Sequence, residues 1–178
     1  MFKKTSNLLF AAIFSMFMLT GQVLALDDVP LSYKLTAAWD QSKCLDVKGT
    51  NSTSNGKNVQ IWDCDEVTER WYFDSNTGRL HAEWAPHMCL DVKGREDVPN
   101  GGTNVQIWQC DEVNEIWALD PDYSYLGYFR LTFLDWFIAP GYCLDIAGHN
   151  ETRNGRNAQI WNCNDVSEVF IRTDVVFH

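Results

Sequence analysis

Beyond its amino terminus the sequence has no apolar run long enough to cross a bilayer, no Cys-x-x-Cys pair, no cluster of Lys or Arg and no Gly-rich phosphate loop. The first absence excludes a spanning helix, which needs about 20 apolar residues. The second argues against a zinc site, since such sites usually show paired cysteines at short spacing. The third argues against nucleic acid, because a phosphate backbone is held by clustered cations that displace its counterions. Helical periodicity is nowhere sustained, which sets helical bundles aside. The four histidines, His81, His87, His149 and His178, show neither ligand spacing nor a partner nucleophile and read as surface residues. Asp63, Asp65 and Glu66 lack the pattern of a calcium loop. No cofactor and no metal are expected.

What is present begins with Lys3 and Lys4 before an apolar run from Leu8 to Leu19, closed by Val23-Leu24-Ala25. That is the layout of a secretory leader, and it predicts cleavage after Ala25. The remainder, residues 26–178, is long enough for one domain with a real core. The full chain has 14 basic and 24 acidic residues. Two of the basic residues and none of the acids lie in the leader, so the expected secreted protein carries 12 against 24, a net charge of −12. Six cysteines in an exported chain predict three disulfides.

The most informative property is a threefold internal repeat. Cys44-Leu45-Asp46-Val47-Lys48-Gly49, Cys89-Leu90-Asp91-Val92-Lys93-Gly94 and Cys143-Leu144-Asp145-Ile146-Ala147-Gly148 correspond. So do Asn58-Val59-Gln60-Ile61-Trp62-Asp63-Cys64, Asn104-Val105-Gln106-Ile107-Trp108-Gln109-Cys110 and Asn157-Ala158-Gln159-Ile160-Trp161-Asn162-Cys163. Each copy ends in Glu69-Arg70-Trp71, Glu115-Ile116-Trp117 or Glu168-Val169-Phe170. Each is preceded by a further echo, Lys34-Leu35 before Trp39, Arg79-Leu80 before Trp84 and Arg130-Leu131 before Trp136. The copies run over about 31–75, 76–122 and 128–178, and all eight tryptophans fall on repeat positions.

Within each copy, short runs such as Asn58 to Trp62 are bounded by Gly-, Asn- and Ser-rich turns, which predicts short β-strands. Units of this size cannot bury an apolar face alone, so three of them closing around a common axis is the economical solution. The expected fold is all-β, a threefold barrel with a hairpin cap; a propeller would need more blades. Successive strand residues point to opposite faces. If Leu45, Val47, Val59 and Ile61 face the core, then Cys44, Asp46, Gln60, Trp62 and Cys64 share the outer face. The repeat and this parity predict bridges Cys44 to Cys64, Cys89 to Cys110 and Cys143 to Cys163. They also gather Asp46, Gln60 and Trp62 into one patch, with Asp91, Gln106 and Trp108, and Asp145, Gln159 and Trp161, as its equivalents. A carboxylate accepts hydrogen bonds from neighbouring hydroxyls, a carboxamide adds polar contacts and an indole stacks on a C–H face, a set suited to a sugar. Trp71, Trp117 and Phe170 are assigned to the core.

These motifs, spread over essentially the whole chain beyond the leader, resemble the ricin-type β-trefoil lectins, whose members repeat a Cys-x-Asp-Val segment and a Gln-x-Trp or Gln-x-Tyr before the second cysteine. The resemblance implies a β-trefoil with pseudo-threefold symmetry, a carbohydrate partner, and ligand-binding roles for the Asp, Gln and Trp of each copy. The family also carries a later Gln-x-Trp, which is Glu-x-Trp or Glu-x-Phe here. An Asn often precedes that Gln and touches the ligand or the binding Asp. Asn114 matches it, while Thr68 and Ser167 hold the other two places, so the second copy lies closest to the family pattern.

Two sequons, Asn51-Ser52-Thr53 and Asn150-Glu151-Thr152, either mark Asn51 and Asn150, beside the first and third patches, as glycan acceptors or are incidental to Asn-rich surface turns. Catalysis is not expected: a glycosidase brings two carboxyls within about 10 Å of each other, whereas the three patch aspartates belong to separate copies. The alternative function is a protein-interaction module, such as a protease inhibitor or the binding subunit of a toxin, with Asp120 to Gly127 as a contact loop.

Overall fold

The computed structural model describes residues 31–49, 52–65, 67–94, 101–110, 113–120, 128–134, 141–163 and 168–176. The expected leader, Asn51, Trp136, His178 and most of the 120–127 loop lie outside the described residues. Among the described residues thirteen strands run in chain order: β1 (Ser32–Ala37), β2 (Asp40–Val47), β3 (Lys57–Asp63), β4 (Arg70–Asp74), β5 (Arg79–Ala82), β6 (Ala85–Val92), β7 (Val105–Gln109), β8 (Trp117–Leu119), β9 (Tyr128–Phe129), β10 (Leu131–Phe133), β11 (Tyr142–Ile146), β12 (Arg156–Asn162) and β13 (Phe170–Val176). Single 3-10 turns at Val67–Glu69 and Val113–Glu115 precede β4 and β8.

All the pairings are antiparallel and they repeat three times. The pairs β2–β3, β6–β7 and β11–β12 form one per copy, with Asp46 opposite Gln60, Asp91 opposite Gln106 and Asp145 opposite Gln159. Their inner strands join around the axis: β3 pairs with β7 and with β12, and a bridge from Asn104 to Gln159 closes the ring. The second set, β4–β5, β8–β10 and β13–β1, joins the end of each copy to the start of another. This is the threefold barrel and cap of a β-trefoil, and closing the ring leaves no long unpaired edge at the axis.

Period-2 alternation decides what fills the barrel. Leu45, Val47, Val59 and Ile61 are fully buried in one cluster with Leu90, Val92, Val105 and Ile107 and with Leu144, Ile146, Ala158 and Ile160. Trp71, Trp117 and Phe170 join the same cluster, as the sequence predicts. Two of them carry a polar tip that must be satisfied when buried. Trp71 Nε1 donates to the Leu45 carbonyl at 3.0 Å and Trp117 Nε1 to that of Leu90 at 2.9 Å. The three disulfides pair Cys44 with Cys64, Cys89 with Cys110 and Cys143 with Cys163, closing loops of 20 or 21 residues. Each loop is worth about 3 kcal/mol in the chain-entropy account.

Candidate functional site

Each candidate site starts at the end of a buried strand. β2 carries Asp46, after which Val47-Lys48 leads into Gly49 at φ +95°. Gly94 and Gly148 hold the same place at φ +114° and +105°, a region that costs a side chain strain and glycine none. The strand therefore turns away immediately after the Asp and leaves a hollow above its carboxylate. In the first copy that hollow is a cavity of about 460 Å³ lined by Asp46, Val47, Lys48, Gly49, Gln60, Trp62, Thr68 and Gly155.

Hydrogen bonds hold the carboxylate from behind. Gln60 Nε2 donates to Asp46 Oδ2 at 2.9 Å and Thr68 Oγ1 to Asp46 Oδ1 at 2.7 Å. Gln106 Nε2 donates to Asp91 Oδ1 at 2.6 Å, and Gln159 Nε2 to Asp145 Oδ2 at 2.7 Å. An amide that already gives its N–H to the Asp positions that carboxylate, and the remaining acceptor capacity of the carboxylate faces the hollow. Asn114 differs from Thr68: its Nδ2 donates to the carbonyls of Val92 and Gly94, at 3.4 and 3.2 Å, and so fixes the turn after Asp91 rather than the Asp itself.

The indoles form the walls. Trp62 is 37% exposed and Trp161 43%, while Trp108 is half-buried. The polar members sit deeper than strand parity alone implies. Asp46, Asp91 and Asp145 lie on the face away from the core cluster, as expected, yet they are buried, with Gln60 and Gln106 buried beside them. Asp46 is covered by Gln60 and Thr68 of its own copy, and beside them the indole is backed by the turn of a neighbouring copy.

That backing is the same in all three cases. A Cβ added at Gly155 would lie 3.8 Å from Cζ3 of Trp62, one at Gly56 would lie 3.7 Å from Cζ3 of Trp108, and one at Gly101 would lie 3.2 Å from Cε3 of Trp161. The turn of the third copy thus backs the indole of the first, that of the first backs the second, and that of the second backs the third. Backbone bonds fix the contact: Gly155 N donates to the Ile61 carbonyl at 2.9 Å, Gly56 N to that of Ile107 at 2.9 Å and Gly102 N to that of Ile160 at 2.7 Å. The signal for this was present in the sequence, a Gly two residues before each of Asn58, Asn104 and Asn157, but no local rule says which copy such a turn will meet.

The side chains at these turns are individual. Lys43 Nζ donates to Asp63 Oδ1 at 2.5 Å and to Asn154 Oδ1 at 2.7 Å, while Asn154 Nδ2 donates to Asp63 Oδ2 at 2.7 Å. These bonds from Lys43 and Asn154 hold the Asp63 carboxyl below the usual carboxylate range. Asn55 Oδ1 instead accepts from the Gln109 backbone at 2.8 Å. Trp39 and Trp84 fasten the same loops from the outside, donating to the carbonyls of Glu151 and Ser52 at 3.3 and 3.1 Å.

One reading of the sequence needs correction. His81 is a half-buried residue, not a surface one: its ring stacks on Tyr72 with centroids 4.6 Å apart, and its Nδ1 lies 2.8 Å from the Pro86 carbonyl. Burial lowers its pKa from the ordinary histidine value. Its ring also lies against Cys89 and Cys110, but both sulfurs are spent in a disulfide and offer no thiolate to a metal. His87 and His149 are exposed. Asn150 is exposed too, at φ +57°.

A family model described as the ricin-type beta-trefoil lectin domain matches residues 32–128. No curated protein is similar enough to match. Among solved structures, the designed threefold-symmetric protein ThreeFoil is 26% identical at a TM-score of 0.65, with 80% of this chain and 98% of that one covered. The hemolytic lectin CEL-III is 25% identical at a TM-score of 0.61, over 79% of this chain but only 29% of that longer one. The β-trefoil lectin of the Vibrio vulnificus hemolysin/cytolysin, solved with N-acetyl-D-lactosamine bound, is 23% identical at a TM-score of 0.56, over 80% and 96%. That last likeness is one of fold.

Proposed function

Because the chain belongs to the ricin-type β-trefoil lectin domain family, whose model matches residues 32–128, we propose that it is a secreted lectin that holds galactose-type sugars in up to three pockets. Carbohydrate binding follows from the family, and the lectin neighbours agree with it. The observation that carries the finer reading is the threefold recurrence of one arrangement, an aspartate held by a glutamine amide beside an accessible indole. Two adjacent ring hydroxyls donate to the carboxylate while the C–H face of the pyranose lies on the indole. Galactose-type sugars offer such a pair of hydroxyls, and N-acetyl-D-lactosamine in the Vibrio vulnificus neighbour is a natural first ligand to try.

The protein acts by binding rather than by catalysis. The first pocket is lined by a single carboxylate, Asp46, whereas glycoside hydrolysis needs a facing pair. Three individually modest pockets on one molecule would hold a glycan-coated surface by avidity. Export after removal of residues 1–25 and glycosylation at Asn51 and Asn150 complete the proposal.

Isothermal titration of the oxidised protein with N-acetyl-D-lactosamine and with galactose tests it. A stoichiometry above one is expected, falling by about one site each for Asp46→Asn, Asp91→Asn and Asp145→Asn. A stoichiometry that none of the three substitutions changes would remove these pockets from the binding account.

A further inference from the structure

We propose that the first and second pockets prefer sugars bearing a negatively charged substituent, a carboxylate or a sulfate ester, and that Lys48 and Lys93 make this selection. The inference deepens the lectin reading and rests on it. Lys48 lines the first cavity. It lies two residues beyond Asp46 and one past the end of β2, where its backbone N–H donates to the Asn58 carbonyl at 2.9 Å. A ring whose hydroxyls meet Asp46 enters the cavity that Lys48 also lines.

The charge state of the neighbours singles these lysines out. Lys34, Lys43, Arg70, Arg79, Arg130 and Arg156 each face a carboxylate within 3.5 Å. Lys48 and Lys93 are exposed, and neither has a hydrogen-bond or ion-pair partner among the described residues. Lys34 and Lys43, the described lysines that do pair with a carboxylate, are largely buried, so the cations left free to meet an anionic ligand in this chain of net charge −10 are the exposed ones. Lys57, the other such lysine, directly follows Gly56 on the turn that backs Trp108.

The third pocket lacks the device. Ala147 stands in the place of Lys48 and Lys93. The cation beside it, Arg156, donates to the Ala147 carbonyl at 3.2 Å and pairs with Glu151. The three pockets therefore share one clamp for hydroxyls and differ in the cation beside it. An exposed ion pair is worth up to about 1 kcal/mol, which converts to a preference of about twofold to fivefold. It weakens with salt, since screening at 1 M acts over about 3 Å.

The test is an NMR titration that follows the indole N–H signals of Trp62, Trp108 and Trp161 separately. The probes are methyl galactoside, methyl galacturonide and methyl 6-O-sulfogalactoside at 0.05 M and 1 M salt. At low salt the Trp62 and Trp108 signals should shift at a twofold to fivefold lower concentration of one or both acidic probes than of the neutral one, with no such difference at Trp161. Which acidic probe does so identifies the substituent. In Lys48→Met the ratio of acidic to neutral affinity at Trp62 should fall to one, and Lys48→Arg should restore it. Equal affinity for all three probes at Trp62 and Trp108, or a preference that survives in Lys48→Met, would overturn the inference while leaving the lectin reading in place. No shift of any indole with any probe would overturn both.

Discussion

At the scale of single residues, the substitution of Glu for the family's Gln in the late motif has a partner elsewhere in the same copy. Glu69, Glu115 and Glu168 are fully buried, and they pair with Lys34 at 3.3 Å, Arg79 at 3.0 Å and Arg130 at 3.5 Å. The basic residue that opens each repeat is therefore the counterion of the acid that closes it. A buried pair is of small net worth against a neutral one, but removing one partner strands the other charge. Glu115→Gln should destabilise the protein by about 1 to 3 kcal/mol, because Arg79 keeps part of its side chain in water. Glu83→Gln, which breaks the more exposed pair with Arg70 at 3.0 Å, should cost less than about 1 kcal/mol. Urea unfolding of the two variants checks this, and equal costs would contradict it. The sequence displayed both halves of each pair, Lys34-Leu35 and Glu69 among them. What hid the pairing was distance along the chain: the two lie about 35 residues apart and meet only when β1 pairs with β4.

At the scale of elements, the sites are built across copies, and this is the part that repeat analysis missed. Strand parity put Asp46, Gln60 and Trp62 on one face, and the structure agrees, because a one-residue slip would have turned every core side chain outward. Parity is silent on what covers that face. The indole there is backed by the turn of another copy, stapled in the first pocket by Asn154 to Lys43 and Asp63. Asn154→Ala removes both bonds while leaving every residue of the first copy intact. We expect it to weaken sugar binding several-fold at the first pocket and not at the third, although residue 154 belongs to the third copy. Titration read at Trp62 and Trp161 separately decides the point, and a loss confined to Trp161 would contradict the cross-copy assembly. Gly155, at φ +83°, is a poorer probe, since any side chain there is strained whatever the neighbouring indole does.

At the scale of the whole molecule, closure of the ring turns three weak units into one core and brings the indole of each copy against the turn of another. The all-β class, the three bridges and the core aromatics were legible because each follows from a pattern repeated three times. The depth of the aspartates and the half-buried His81 were not legible. Asp46 is closed over by Gln60 and Thr68, 14 and 22 residues away, and His81 by Tyr72, its partner across the β4–β5 hairpin; parity names a face and not what stacks on it. The same architecture makes the central claim open to a direct test. A glycan array is probed with the oxidised protein and, in parallel, with the triple variant Asp46→Asn, Asp91→Asn, Asp145→Asn, after circular dichroism has shown both to be folded. We predict that the wild type binds galactose-terminated glycans and that the triple variant loses that binding. Undiminished binding by the folded triple variant, or no glycan bound by the folded wild type, would contradict the account.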